Sequence, residues 1–286
     1  MTHPDKKVCI FTQFSDNPEA YSLNRVVKDQ LKMLLKGGYK PTVIVAESFE
    51  PSGIYSDKNV TIKKIPLVPV HNEVKKDETF DNDVQDIYRA LKDILADIDV
   101  VITHDIIYQP AALKHNVAAR KVAEEMPKIK WLHWIHSATS PAVLTNLKPY
   151  FEDAYIATIQ KPFPHSLYVF FNDYSIPRIA KNFQVPEDMV AVVHHPSDLK
   201  EIFALSDDME KFVLDKEIYA ADAICVYPIR LDRGKQVEFV IKTMAMLKDF
   251  RLSVKVIIVD FHSTGGDKLT YRDDLKNIAI DYGLQQ

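Results

Sequence analysis

The chain has 286 residues, enough for two domains or one large one at about 150 residues per domain. Its 36 Lys and Arg against 40 Asp and Glu leave a net charge of −4, which speaks against a protein that coats nucleic acid with a basic face. Hydrophobic residues at 47% and charged residues at 27% exclude a disordered or fibrous chain. The two cysteines, Cys9 and Cys225, lie in the apolar runs VCIF and ICVY, where buried thiols are expected, and a reducing cytoplasm fits them. The start, MTHPDKK, lacks the apolar region and cleavage site of a signal peptide, so export is not expected. No apolar stretch approaches the roughly 20 residues that span a bilayer, although peripheral membrane contact stays open.

Short apolar, β-branched runs alternate with segments of helical period, the pattern of a parallel sheet covered by helices, so the expected class is α/β. A strand over Val8–Phe14 precedes a helix with Leu23, Val26, Val27, Leu31, Leu34 and Leu35 on one face, which Gly37 and Gly38 end. Strands over Thr42–Ala46 and Val60–Ile65 follow, then a helix striped by Val84, Ile87, Tyr88, Leu91, Ile94 and Leu95. A strand at Val100–Thr103, a helix over Ala111–Glu125 and a strand at Trp131–Ile135 come next, and Tyr168–Phe171 and Val190–Val193 read as two further short strands. An acidic stretch from Ser206 to Glu217 puts a domain boundary near residue 210, giving domains 1–210 and 211–286. The second begins with strand Ala223–Tyr227, a helix bearing Val237, Val240, Ile241, Met244 and Leu247, strand Val254–Val259, and a helix bearing Tyr271, Leu275, Ile278 and Tyr282 with Gly283 as its C-cap. With only two strands before Gln286 this domain reads as incomplete, and self-association or a partner chain pairing along its sheet edge is the expected consequence.

Arg230-Leu231-Asp232-Arg233-Gly234-Lys235 lies between a strand and a helix. Ligands of doubly wound sheets bind beyond the carboxyl ends of strands, and cations beside a helix N-terminus suit a diphosphate. A solvated charged turn accounts for the same residues equally well. His136 and Ser137 end one strand, and His104 and Asp105 emerge from a neighbouring one at the same edge. His133, three residues before His136 on an extended segment, points to the opposite face, so this HxxH spacing is no zinc motif. His194 and His195 read as a structural turn. Trp131, Trp134, Tyr168, Phe170 and Phe171 could stack a sugar or base, but alternation along short strands reads most of the set as core, and Asn172 to Ser175 read as cleft residues. No Ser or Cys stands in a nucleophile-elbow context, which leaves a hydrolase triad unsupported.

The segment IRLDRGKQVEFVIKTMAML resembles the strand-loop-helix of glycosyltransferase family 4, retaining enzymes of GT-B fold that use nucleotide-diphosphate sugars. DVVITHD, KWLHWIHS, VVHHPSDLKEIF and the run from SVKVIIVD to DYGL are similar to further family segments in the same order, across nearly the whole chain. The resemblance implies a GT-B-like pair of Rossmann-like doubly wound domains, the second incomplete, with an acceptor-side first domain and a nucleotide-sugar-binding second one. It implies that Arg230 and Lys235 bind the donor diphosphate and stabilise it as it leaves, with Asp260 on the donor side, and that His136 contacts the donor sugar near the reacting centre. The acceptor-side cleft would hold Ser15, Asp16, Asn17, His104, Asp105, Ser137 and Asn172. No cofactor and no obligatory metal are expected, and the partners would be a nucleotide-sugar donor and a saccharide or lipid-linked acceptor. The chain departs from the family at Gln13 to Ala20, which replace a glycine-rich turn, and at Ile229, Gln236 and Asp260, each where the family has Gly. The family's two-glutamate motif would fall beyond Gln286, so the chain reads as truncated. A non-catalytic chain that binds acceptor or a partner, and a sugar-nucleotide epimerase of similar fold, are the alternatives.

Overall fold

The computed structural model describes residues 6–16, 22–66, 78–138, 157–260 and 268–284, so Asn17, expected in the acceptor-side cleft, lies outside the described residues. The chain divides into two compact units, Met1–Ser197 and Asp198–Gln286; residue 210, the expected boundary, falls inside the helix Asp207–Asp215.

In the first unit the strands are β1 (Val8–Phe11), β2 (Thr42–Ala46), β3 (Thr61–Ile65), β4 (Val100–His104), β5 (Lys130–Trp134), β6 (Ser166–Phe170) and β7 (Val190–Val192). Its helices are α1 (Ser22–Lys36), α2 (Phe80–Ile94), α3 (Leu113–Glu125) and α4 (Ile176–Phe183). The strands form one parallel sheet in the order β3-β2-β1-β4-β5-β6-β7. Each strand sends alternate residues to opposite faces. Val8 and Ile10 of β1 therefore pack with Leu23, Val27, Leu31 and Leu34 of α1. Cys9 and Phe11 join Val84, Ile87 and Leu91 of α2 and Ala118, Ala119 and Val122 of α3 on the other face. This double covering explains the near-continuous apolar strands, because both faces of a parallel sheet must be buried.

The order of the strands reverses between β1 and β4, and a crevice opens beyond the carboxyl ends at such a point. β1 stops at Phe11 rather than Phe14 because Thr12 turns its side chain onto the backbone. Its hydroxyl donates to the Ile44 carbonyl at 3.0 Å and accepts from the Phe14 N–H at 3.3 Å, a local alternative to the ladder.

The second unit contains α5 (Leu199–Ile202), α6 (Asp207–Asp215), β8 (Ala223–Ile229), α7 (Val237–Met246), β9 (Val254–Asp260) and α8 (Lys268–Asp281). β8 and β9 pair in parallel from Ala223↔Val254 to Ile229↔Asp260. Val237 and Ile241 of α7 and Tyr271 and Leu275 of α8 are buried against Tyr227, Ile229 and Ile258. The opposite positions of β8, Ile224 and Val226, are 39% and 57% exposed. Gly283 ends α8 with φ +70°, as its reading as a C-cap requires. No described helix is long and apolar enough to cross a membrane. Both cysteines carry free thiols, Cys9 buried and Cys225 half-buried.

Candidate functional site

The sheet register determines where the histidines go. β4 and β5 pair Thr103 with His133 and His104 with Trp134, and the strand period sends these two pairs to opposite faces. On the α2–α3 side His133 is fully buried, its Nδ1 2.8 Å from the Thr103 hydroxyl and its ring against Phe163 and Tyr168. It is a core residue and takes no part in the site, as the spacing had indicated.

On the α1 side the His104 ring is also fully buried, stacked on Trp134 with centroids 6.1 Å apart. Its Nε2 meets the Gln30 side-chain carbonyl of α1 at 2.9 Å, and its Nδ1 meets Nε2 of His136 at 2.9 Å. With both nitrogens engaged and no exposure, His104 reaches a ligand only through His136. His136, just beyond the end of β5, is half-buried and stacks on His195 at 5.6 Å and 15°. Trp134 Nε1–H in turn donates to His195 Nδ1 at 3.3 Å. His195 reads from the sequence as part of a structural turn, and its place in the site was illegible because its contact with Trp134 spans 61 residues of chain.

The backbone at His136 is held as firmly. Tyr108 accepts the His136 N–H at 3.0 Å and donates its own hydroxyl hydrogen to the Asp105 carboxylate. Asp105 adopts φ +59°, a left-handed conformation that is costly for a residue other than Gly and is held here by its surroundings. Asp105 is thus the support of Tyr108, and Tyr108 the support of His136.

Burial, followed by the neighbouring His136 and His195, pushes His104 well below the ordinary histidine range. Burial and His195 push His136 down to about 3, and burial lowers His195. The ring set is therefore neutral near pH 7 and acts through hydrogen bonds rather than charge. Among the described residues no group of three or more His, Cys, Asp or Glu is arranged to hold a metal ion.

The other expected cleft residues are placed less centrally. Ser15 accepts the Ser48 hydroxyl at its carbonyl at 3.1 Å, and Asp16 is exposed. Ser137 is half-buried and adjoins His136 in sequence. The Asn172 side chain accepts the Ser175 N–H at 3.0 Å, which commits it to the turn that opens α4. Trp131, Trp134, Tyr168 and Phe170 are buried in the core, as expected for most of the aromatic set, while Phe171 is half-buried with its ring 5.0 Å from that of His195.

In the second unit Arg230 and Lys235 are exposed on the loop after β8, and neither side chain has a partner among the described residues. The rest of the loop is tied down. Asp260, expected to face the donor, accepts the Leu231 N–H at 3.2 Å and so braces the loop across the two strand ends. Asp232 accepts the Gly234 N–H at 2.8 Å. Arg233 pairs with Asp274 at 2.6 Å and lies over the Tyr271 ring at 4.8 Å.

The first N–H groups of α7, beside these cations, are engaged within the chain. Val237 N–H donates to the Tyr271 hydroxyl at 3.3 Å and Phe239 N–H to the Gln236 carbonyl at 2.9 Å. Glu238 accepts its own N–H as well as the Tyr271 hydroxyl. These groups are satisfied inside the chain, so any anion bound here relies on the two side-chain cations.

No family model matches the chain, and no curated protein does. Among solved structures it is similar to a glycosyltransferase from Rickettsia africae at 14% identity and TM-score 0.42, covering 99% of this chain and 67% of that one. It is similar to HepE from Anabaena in complex with UDP-glucose at 12% identity and TM-score 0.44, over 98% and 67% of the two chains. A third is sucrose-phosphate synthase from Thermosynechococcus elongatus, at 12% identity and TM-score 0.46, over 98% and 68%. The chain spans about two thirds of the length of these structures. At such scores the likeness carries no argument about activity, and the α/β class stands on the sheet order itself.

Proposed function

We propose that the chain is a glycosyltransferase that moves a sugar from a nucleotide-diphosphate sugar to an acceptor hydroxyl with retention of configuration. The observation that carries this reading is the pair Arg230 and Lys235, two cations without a partner among the described residues, on a loop whose other charged side chains are engaged in holding it. The order of family-like segments along the sequence supports it independently. Cleavage of the bond between the sugar's anomeric carbon and the diphosphate oxygen leaves negative charge on the diphosphate. Cations already in place where that charge develops lower the barrier without further reorganisation. The acceptor oxygen then bonds to the anomeric carbon on the face the diphosphate left, and its proton passes to the departing diphosphate oxygen. His136 is assigned to the donor sugar. Neutral and held by side chain and backbone alike, it can orient a hydroxyl but does not supply charge. The chemistry needs no resident metal or cofactor, and the two free thiols suit a reducing cytoplasm.

The test is turnover of a panel of nucleotide sugars by the protein and by Arg230→Ala and Lys235→Ala. Each replacement is expected to lower donor turnover about a hundredfold, the usual cost of one lost transition-state contact of about 3 kcal/mol. Arg233→Ala, whose cation is committed to Asp274 and Tyr271, serves as the comparison. Unchanged turnover in both Arg230→Ala and Lys235→Ala would overturn the assignment.

A further inference from the structure

Gln30 lies on α1, 74 residues from His104 in sequence, yet its side chain ends on the imidazole that touches His136. The donor and acceptor roles along this contact follow from the chemistry of the groups. A carbonyl oxygen only accepts, so His104 Nε2, 2.9 Å from the Gln30 Oε1, carries the hydrogen. A neutral imidazole with its hydrogen on Nε2 has a lone pair on Nδ1, and that lone pair accepts from His136 Nε2–H at 2.9 Å. The hydrogen of neutral His136 is thereby committed inward. Its Nδ1 has a lone pair and no partner among the described residues.

We infer that Gln30 and His104 are positioning residues that hold His136 in the Nε2–H form, so that it presents a hydrogen-bond acceptor to a ligand and selects a hydroxyl rather than a phosphate oxygen. The inference rests, for the identity of the ligand, on the donor-sugar role given to His136 above. Three features make the arrangement more than incidental packing. Gln30 and His104 are buried at 1% and 0% exposure, so the hydrogen bonds do not compete with water. The register of β4 against β5 places His104 on the same face as Trp134, whose indole orders His195 against the far side of His136. The Tyr108–Asp105 pair anchors the His136 backbone independently of the side-chain contact. An acceptor at this point favours an O–H group and repels the oxygens of a phosphate, which can only accept.

The experiment reads histidine tautomers in the folded, 15N-labelled protein by two-bond proton–nitrogen correlation at pH 8, with Gln30→Met and Gln30→Glu beside the parent. The parent is expected to show His104 and His136 both as Nε2–H forms. Gln30→Met, which removes the fixed acceptor, is expected to leave His136 a mixture of tautomers. Gln30→Glu restores an acceptor of the same shape and is expected to restore the single form. With UDP-glucose as probe, Gln30→Met is expected to lower turnover about tenfold, the worth of one buried hydrogen bond, and Gln30→Glu to recover most of it. His136 found as the Nδ1–H form in the parent, or unmoved in Gln30→Met, would overturn the inference whatever the turnover. The expected tautomers together with UDP-glucose binding indifferent to both Gln30→Met and His136→Ala would uphold the positioning and overturn the sugar-contacting role, so the two failures are distinguishable.

Discussion

At the scale of single residues, burial decides what each histidine does. His133 and His136 lie in one eight-residue segment, yet one is sealed in the core and the other stands at the sheet edge. That division was legible, because the strand period sends residues three apart to opposite faces. The role of His104 was not, since its partner Gln30 is 74 residues away in sequence. The same burial makes stability depend on pH. Burial, followed by Lys114, lowers His115 to about 4, burial and His195 lower His136 to about 3, and His104 and His133 lie well below the ordinary range. In the unfolded chain these rings titrate near 6.5. Their contribution is therefore intact above about pH 6.5 and falls as the pH drops towards the folded values, at about 1.4 kcal/mol per pH unit for each ring. Urea unfolding at pH 7 and pH 5 is expected to show a loss of several kcal/mol at the lower pH. Equal stability at the two would mean the rings are not held neutral.

At the scale of elements, the strands and helices were read to within a few residues wherever apolar periodicity was strong, as in α1 and β2. The ends shifted where side chains compete with the backbone, as Thr12 does at β1. The start of α7 shows what a departure from a family pattern means physically. Gln236 stands where the resembled family has glycine, and it adopts φ +50° as the cap residue of α7. A side chain in that region costs about 1 kcal/mol or more relative to glycine. Gln236→Gly is expected to raise the stability of the second unit by about that amount, read as an upward shift of its thermal midpoint. An unchanged or lower midpoint would show that the Gln236 side chain offsets its backbone strain. Asp260 is the contrasting case, because it too replaces a glycine but uses its carboxylate to hold the Leu231 N–H.

At the scale of the whole molecule, the two units differ in how much they bury. Among the described residues the first has two apolar clusters, one on each face of seven strands, while the second rests on Val237, Ile241, Tyr271 and Leu275 over two strands. Buried apolar area supplies most of the stabilising free energy, so the second unit should open more readily. Native-state hydrogen exchange is expected to show the amides of β8 and β9 exchanging at lower free energies than those of β1 and β4. Equal protection would show that the thin core is not the weaker one. The sequence by itself determined the α/β class, the strand order in time along the chain, the core faces and the exposed cations Arg230 and Lys235, because periodicity and charge are local properties. Only the tertiary structure decided that Gln30, His104, His136 and His195 meet, that Asp105 braces Tyr108, and that the first N–H groups of α7 are already engaged. Those facts depend on strand register and on which helix covers which face, and contacts across 30 to 75 residues leave no periodic trace in the sequence.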